Sequence, residues 1–140
     1  LKGGISFSFD ITDNSSKTIK CNRQELIQVL TNIVNNAIDA LDEVKQEHKE
    51  LKISVQHDGQ HINITVSNNG PAIPENIFDK IFNPFFTTKK EDKGTGLGLS
   101  IVHQIVKIMG GSVHAVNRSK DHETVDFVLK LPVNQDPKDN

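Results

Sequence analysis

The stretch Phe82–Ser100, FNPFFTTKKEDKGTGLGLS, constrains this chain most strongly. Phe82, Phe85 and Phe86 gather around Asn83-Pro84, and Pro84 keeps that segment out of regular helix. A polar run from Thr87 to Lys93 follows, carrying Lys89, Lys90 and Lys93. Gly94, Gly96 and Gly98 then alternate with Thr95 and Leu97, and a helical pattern begins at Leu99. Glycines allow close backbone approach to a ligand, and a helix start presents unpaired N–H groups at a positive dipole end. The combination suits phosphate. A dinucleotide fold would need a buried strand just before the glycines, and Lys89–Lys93 is too polar for one. A P-loop would end in Gly-Lys-Ser/Thr, whereas this loop ends in Gly98-Leu99-Ser100.

With 140 residues, 35% hydrophobic and 24% charged, the chain has the size and composition of one soluble domain with a real core. The net charge of −2 supplies no basic field for nucleic acid. Its single cysteine, Cys21, excludes an intrachain disulfide and a zinc cluster, which points to a reducing compartment. No apolar run approaches a membrane span, and Leu1–Asp10 lacks the pattern of a signal peptide. The abrupt opening, Leu1-Lys2-Gly3-Gly4, reads as the start of a piece excised from something longer.

Along the chain, Ile5, Phe7, Phe9 and Ile11 alternate with polar residues and predict a half-buried strand. Thr18–Cys21 can form a short second strand. Asn22, with Glu25 three residues on, caps a long helix. Leu26, Val29, Leu30, Ile33, Ala37, Leu41 and Val44 form its apolar face, and a charged extension reaches His48. Asn32 and Asn36 fall together on the flank of that face, while Asn35 and Asp39 point further toward water. Asparagine is a mediocre helix former, so three between positions 32 and 36 need a reason. Carbonyl oxygens offered to a hydrated magnesium ion would be one.

Leu51, Ile53 and Val55 alternate, Asp58-Gly59 makes a hairpin turn, and Ile62, Ile64 and Val66 alternate again. The period of two then turns Asn68 inward, where a polar side chain costs free energy unless something binds it. Asn69-Gly70-Pro71 breaks the strand, and Pro74-Glu75 opens a short helical turn through Asp79. Leu99, Val102, Ile105, Val106 and Met109 predict a second helix, stopped by Gly110-Gly111. Val113 and Ala115 predict a strand, with a turn at Asn117–His122. Val125, Phe127, Leu129 and Leu131 give the last strand, before a loose tail at 134–140. These patterns predict an α/β two-layer sandwich. Phe85 and Phe86 read either as a docking patch or as plugs in the domain's own core, and the second reading is preferred for at least one of them.

Four ordered segments now stand out: LTNIVNNAIDAL (30–41), SNNGPAIP (67–74), IFNPFFTTK (81–89) and GTGLGLSIV (94–102). Together they resemble the N, G1, F and G2 boxes of the ATP-binding catalytic domain of bacterial sensor histidine kinases, within the superfamily of gyrase, heat-shock chaperone and mismatch-repair ATPases. The resemblance reaches the closing FVLKLP (127–132) and implies the Bergerat-type fold, a mixed, mostly antiparallel sheet with helices on one face. It places the catalytic domain at 1–133, with the dimerisation and phosphoacceptor domain outside this chain. Asn36 matches the residue that binds Mg²⁺, and Asn32 lines the same site one turn earlier. Asn68 takes the place of the carboxylate that accepts from the adenine amino group, and Gly70 lets the backbone pass close to the base. Asp39, Ala40, Ala72, Ile73 and Phe82 complete the expected nucleotide surroundings. Lys89, beside Thr87 and Thr88, falls in the ATP lid. Gly94, Thr95, Gly96, Leu97, Gly98 and Leu99 match the phosphate-cradling loop.

The family's Asp-x-Gly-x-Gly stands here as Asn68-Asn69-Gly70-Pro71-Ala72, which implies weaker but retained ATP binding: the lost charge assistance is about 1 kcal/mol, roughly fivefold in affinity. The implied activity is transfer of the ATP γ-phosphoryl group to a histidine, with a response regulator downstream. An ATP-hydrolysing relative is the first alternative; such enzymes typically carry glutamate where Asn32 stands. A nucleotide-sensing module with a decayed site is the second, and a serine-directed kinase of the same superfamily the third. The family's acceptor histidine lies in a His-Glu/Asp pattern upstream of this domain; of the six histidines only His122 precedes a glutamate, in the final turn, and all six read as solvated. The expectation is therefore a monomeric cytoplasmic fragment, from a protein that can be membrane-anchored, which binds ATP and cannot phosphorylate itself.

Overall fold

The architecture begins at Asn22. Its backbone is extended (φ −72°, ψ 122°) and its Oδ1 accepts from the Glu25 N–H at 3.1 Å, which starts helix α1, Arg23–Asp42. Val29, Ile33, Ala37 and Leu41 recur every four residues and are all buried, so one stripe of α1 faces the sheet. In this computed structural model the described residues are 4–11, 18–86, 98–118 and 123–133. Among them lie strands β1 (Ile5–Ile11), β2 (Lys49–His57), β3 (His61–Asn68), β4 (Ser112–Arg118) and β5 (Thr124–Pro132). A 3-10 helix spans Glu75–Lys80, and helix α2 spans Gly98–Ile108.

The sheet order is β1-β2-β3-β5-β4, with β1 parallel to β2 and every other pair antiparallel. The mixed, mostly antiparallel sheet expected from the boxes is therefore present. Register stacks the apolar positions into one layer: Ile53 lies opposite Val66, Val66 opposite Phe127, and Phe127 opposite Ala115. These residues form a single core with the α1 stripe and with Val102 and Val106 of α2. Each fully buried branched side chain contributes about 1.5–3 kcal/mol of transfer free energy. The next rung of that face, Leu51–Asn68–Val125–Asn117, carries two asparagines.

The α2 helix closes where predicted. Gly110 takes φ +81°, and the Gly111 N–H donates back to the Val106 carbonyl at 2.9 Å. At the β2–β3 hairpin, Asp58 Oδ1 accepts from the N–H groups of Gln60 and His61. Those bonds hold its carboxyl below the ordinary value of 3.8.

Four expectations need correction. Helix α1 ends at Asp42, short of Val44 and His48, because the segment beyond it turns toward the sheet: the Gln46 amide donates to the carbonyls of His48 and Asn69. Thr18–Cys21 forms no strand. Strand β4 runs through Asn117 and Arg118, positions the sequence assigned to a turn, since both pair with β5. The apolar face of β1 is not half-buried beyond Ile5: Phe7, Phe9 and Ile11 are 51%, 67% and 64% exposed, because β1 is the edge strand farthest from α2 and β4.

Candidate functional site

The inward-facing amide is where the alternation predicts it. Asn68 ends β3 with 3% of its surface exposed, in the rung between Leu51 and Val125. Its Oδ1 accepts from the Gly70 N–H at 2.9 Å. Gly70 is itself buried, and a Cβ there would sit 2.9 Å from Asn68 Oδ1 and 3.4 Å from Leu41 Cδ2. Only glycine lets the backbone pass so close to the carboxamide and to the last turn of α1, where the Ala40 carbonyl lies 3.9 Å from that position. Asn68, Gly70 and Ala40 thus converge at one end of the sheet.

The segment leaving β3 is tied down at both ends. Asn69 Oδ1 accepts from the Glu50 N–H at 2.7 Å, and its Nδ2 donates to the His48 carbonyl at 2.9 Å. At the far end, Asn117 Oδ1 accepts from the Ile73 N–H at 3.0 Å while Asn117 Nδ2 donates to the Ile73 carbonyl at 2.8 Å. Ile73 packs against the core, whereas Ala72 between the two ties is exposed. Asn69, Gln46 and Asn117 were not among the sequence candidates. Asn117 was detectable, because it continues the inward period of Val113 and Ala115 as Asn68 continues that of Val66.

On α1, Asn32 and Asn36 are half-buried and Asn35 is exposed, as the helical period requires. Asp39 is half-buried rather than directed to water, because the last turn of α1 lies beside the strand-exit loop. Asn32 Nδ2 donates to the Gly98 carbonyl at 3.2 Å, which joins the flank of α1 to the first residue of α2. Among the described residues, a Cβ at Gly98 would meet nothing within 4 Å. Leu99 packs against the core. Phe82 lies edge-on to Phe127 at 6.4 Å and against His103 at 5.8 Å, and Phe86 also packs on the core. Phe85, by contrast, is 75% exposed with φ +66°. The aromatic cluster is therefore two plugs and one projecting ring.

Thr87, Thr88, Lys89, Gly94, Thr95, Gly96 and Leu97 lie outside the described residues, as do Lys90, Lys93 and His122. Of the other histidines, His48, His103 and His114 are exposed, while His57 and His61 are half-buried in or beside the hairpin, against the expectation that all are solvated. Among the described residues no group of three or more His, Cys, Asp or Glu side chains is placed to hold a metal ion. Among the described residues, the candidate site offers carboxamides, backbone amides and the one carboxylate of Asp39. Such a donor set suits a hydrated Mg²⁺ that takes most of its charged ligands from substrate phosphates rather than from an all-protein cage. No described helix is long and apolar enough to cross a membrane.

Residues 21–135 match the family described as histidine kinase-, DNA gyrase B-, and HSP90-like ATPase, and the chain belongs to that family. Within it, the chain is 38% identical over 121 residues to the sensor histidine kinase ZraS of Escherichia coli (strain K12), an alignment covering 86% of this chain and 24% of ZraS. The chain therefore spans about a quarter of that relative's length. The catalytic domain of the histidine kinase ThkA has the same fold, with TM-score 0.76 and 39% identity over 94% of this chain and 82% of that one. A structure of ThkA in complex with the response regulator protein TrrA matches with TM-score 0.75 and 34% identity, over 95% of this chain and 35% of that one.

Proposed function

We propose that this chain binds Mg-ATP and serves as the catalytic domain of a sensor histidine kinase, delivering the γ-phosphoryl group to a histidine on a separate dimerisation and phosphoacceptor domain. The observation that carries the reading is the buried Asn68 carboxamide beside Gly70, an inward polar group where an apolar layer would otherwise close. An amide oxygen has two lone pairs, so Asn68 Oδ1 can accept from an adenine amino group while it holds the Gly70 N–H. Gly70 would give the base room, and Ile73, Ala72, Asp39 and Ala40 would border it. Asn36, with Asn32 one turn earlier, would hold Mg²⁺, which when bound neutralises phosphate charge. Lys89 and the loop of Gly94, Gly96 and Gly98 would meet the phosphates.

Phosphoryl transfer of this kind is positioning and charge stabilisation, and a neutral imidazole needs no strong base to attack near pH 7. Asn32 supports transfer over hydrolysis, because a carboxamide that donates to Gly98 cannot deprotonate water. The domain occupies 1–133 and acts as a monomer on the cytoplasmic side, and a response regulator downstream takes the phosphoryl group from the charged histidine. Calorimetry of this chain with Mg-ATP is expected to show binding that Asn36→Ala abolishes. The chain alone is expected to form no acid-labile phosphate, and to phosphorylate an added phosphoacceptor domain of its own full-length protein. Absence of heat at millimolar Mg-ATP would defeat the reading.

A further inference from the structure

The tie between Asn117 and Ile73 is built unlike an ordinary surface hydrogen bond. A single side-chain amide both accepts from and donates to the same backbone residue, at 3.0 and 2.8 Å. This is the pairing a neighbouring strand would make, supplied by a side chain. Asn117 stands in the same rung as Asn68, one strand beyond Val125, so the tie fixes the return of the segment that leaves the sheet at Asn68. The other end of that segment is held independently by Asn69 on Glu50 and His48. Between the clamps, Gly70 sits against the Asn68 carboxamide. Aspartate at 117 would lose the donor, serine would keep only one bond, and glutamine would push the amide too far out.

We propose that Asn117 is a positioning residue for the base end of the nucleotide site: its carboxamide sets the Ile73 backbone, and through it the wall facing Asn68. The proposal rests on the nucleotide reading above. Asn117 touches no substrate; it acts through Ile73. Its influence therefore falls on recognition of the base and not on the phosphate end at Asn32, Asn36 and Gly98.

The test compares this 140-residue chain with its Asn117→Ala and Asn117→Ser variants. Binding of Mg-ATP and of Mg-tripolyphosphate, which has no base, is measured for each, with amide hydrogen exchange at Ile73. Asn117→Ala is expected to raise the ATP Kd about tenfold, leave tripolyphosphate within about twofold, and speed exchange at Ile73 while Ile64 in the core stays protected. Asn117→Ser, keeping one bond, falls between and serves as the reading if the alanine variant does not fold. Unchanged ATP affinity in both variants, or equal loss for ATP and tripolyphosphate, overturns the proposal. Unaltered protein that binds tripolyphosphate but not ATP overturns the nucleotide reading instead, since the base site would then be absent whatever Asn117 does.

Discussion

Ser67 and Asn68 are consecutive residues of β3, yet they open onto two differently finished parts of the molecule. Ser67 faces the outer side of the sheet and donates to Asp126, a carboxylate only 6% exposed. Asp126 also accepts from Arg118 Nε at 2.6 Å and from Thr124 Oγ1 at 3.1 Å, so three donors from β3, β4 and β5 meet it. Asn68 faces the helices at 3% exposure, and its Oδ1 accepts from the Gly70 N–H. Both are buried polar groups in neighbouring strands. Asp126 collects three side-chain donors, whereas Asn68 Oδ1 meets a backbone N–H at a position that only glycine fits. A buried polar group ringed by side chains of its own fold is a structural rivet; one edged by a glycine's backbone leaves room beside it.

The contrast breaks first at Asp126. Asp126→Ala removes a charged acceptor from three donors and is expected to cost about 2–3 kcal/mol in urea unfolding, the largest stability effect of this set, with ATP affinity unchanged. If ATP binding fell as far as stability, the outer cluster would not be separate from the site. Asn68→Ala inverts the pattern: about a tenfold rise in the ATP Kd, read by calorimetry, with a smaller shift of the urea midpoint than Asp126→Ala gives. Asn68→Asp sharpens it. A carboxylate keeps the acceptor for Gly70 and adds charge assistance toward an amino group, so ATP should bind about fivefold tighter. The unliganded protein should at the same time unfold at lower urea near neutral pH, because an ionised group is then buried without a counter-charge.

The inner layer was legible from the sequence because a strand's period of two is unambiguous wherever one face is buried. Ile53, Val66, Phe127 and Leu129 all lie where alternation put them, and Asn68 with them. Helix α1 was legible from its cap, since Asn22 and Glu25 form a local bond that needs no tertiary context. What escaped were features decided by partners distant in sequence. Nothing near Val44 says that Gln46 will pull the chain toward Asn69 and end the helix early. Phe7, Phe9 and Ile11 carry a strand's alternation, but alternation cannot tell an exposed edge strand from a covered one. Asn117 looked like a turn residue by composition, and only its register against Val125 makes it a strand residue whose amide reaches Ile73. Asn32 was assigned to the site by spacing, but the carbonyl its amide meets belongs to a helix 66 residues on.

Asp58 extends the comparison to a carboxylate at the opposite limit of burial. It is bonded much as Asp126 is, with Oδ1 taking the N–H groups of Gln60 and His61, yet it stands in solvent at the hairpin tip. Those backbone bonds lower its pKa below 3.8 in the folded chain. A depressed folded value means that the stabilisation is fully present above the unfolded value and is lost as pH falls through the folded one. Acid unfolding should therefore keep this contribution at pH 5 and surrender it below about pH 4. Asp58→Asn retains an acceptor but no titrating charge, so stability measured from pH 5 downward should fall less steeply than in the unaltered chain. Solvent screening makes this the smallest of the expected effects. A variant whose acid profile overlays the parent's would mean that the Asp58 charge adds nothing to what its acceptor geometry supplies. Burial, rather than the number of bonds, would then be what separates Asp126 from Asp58.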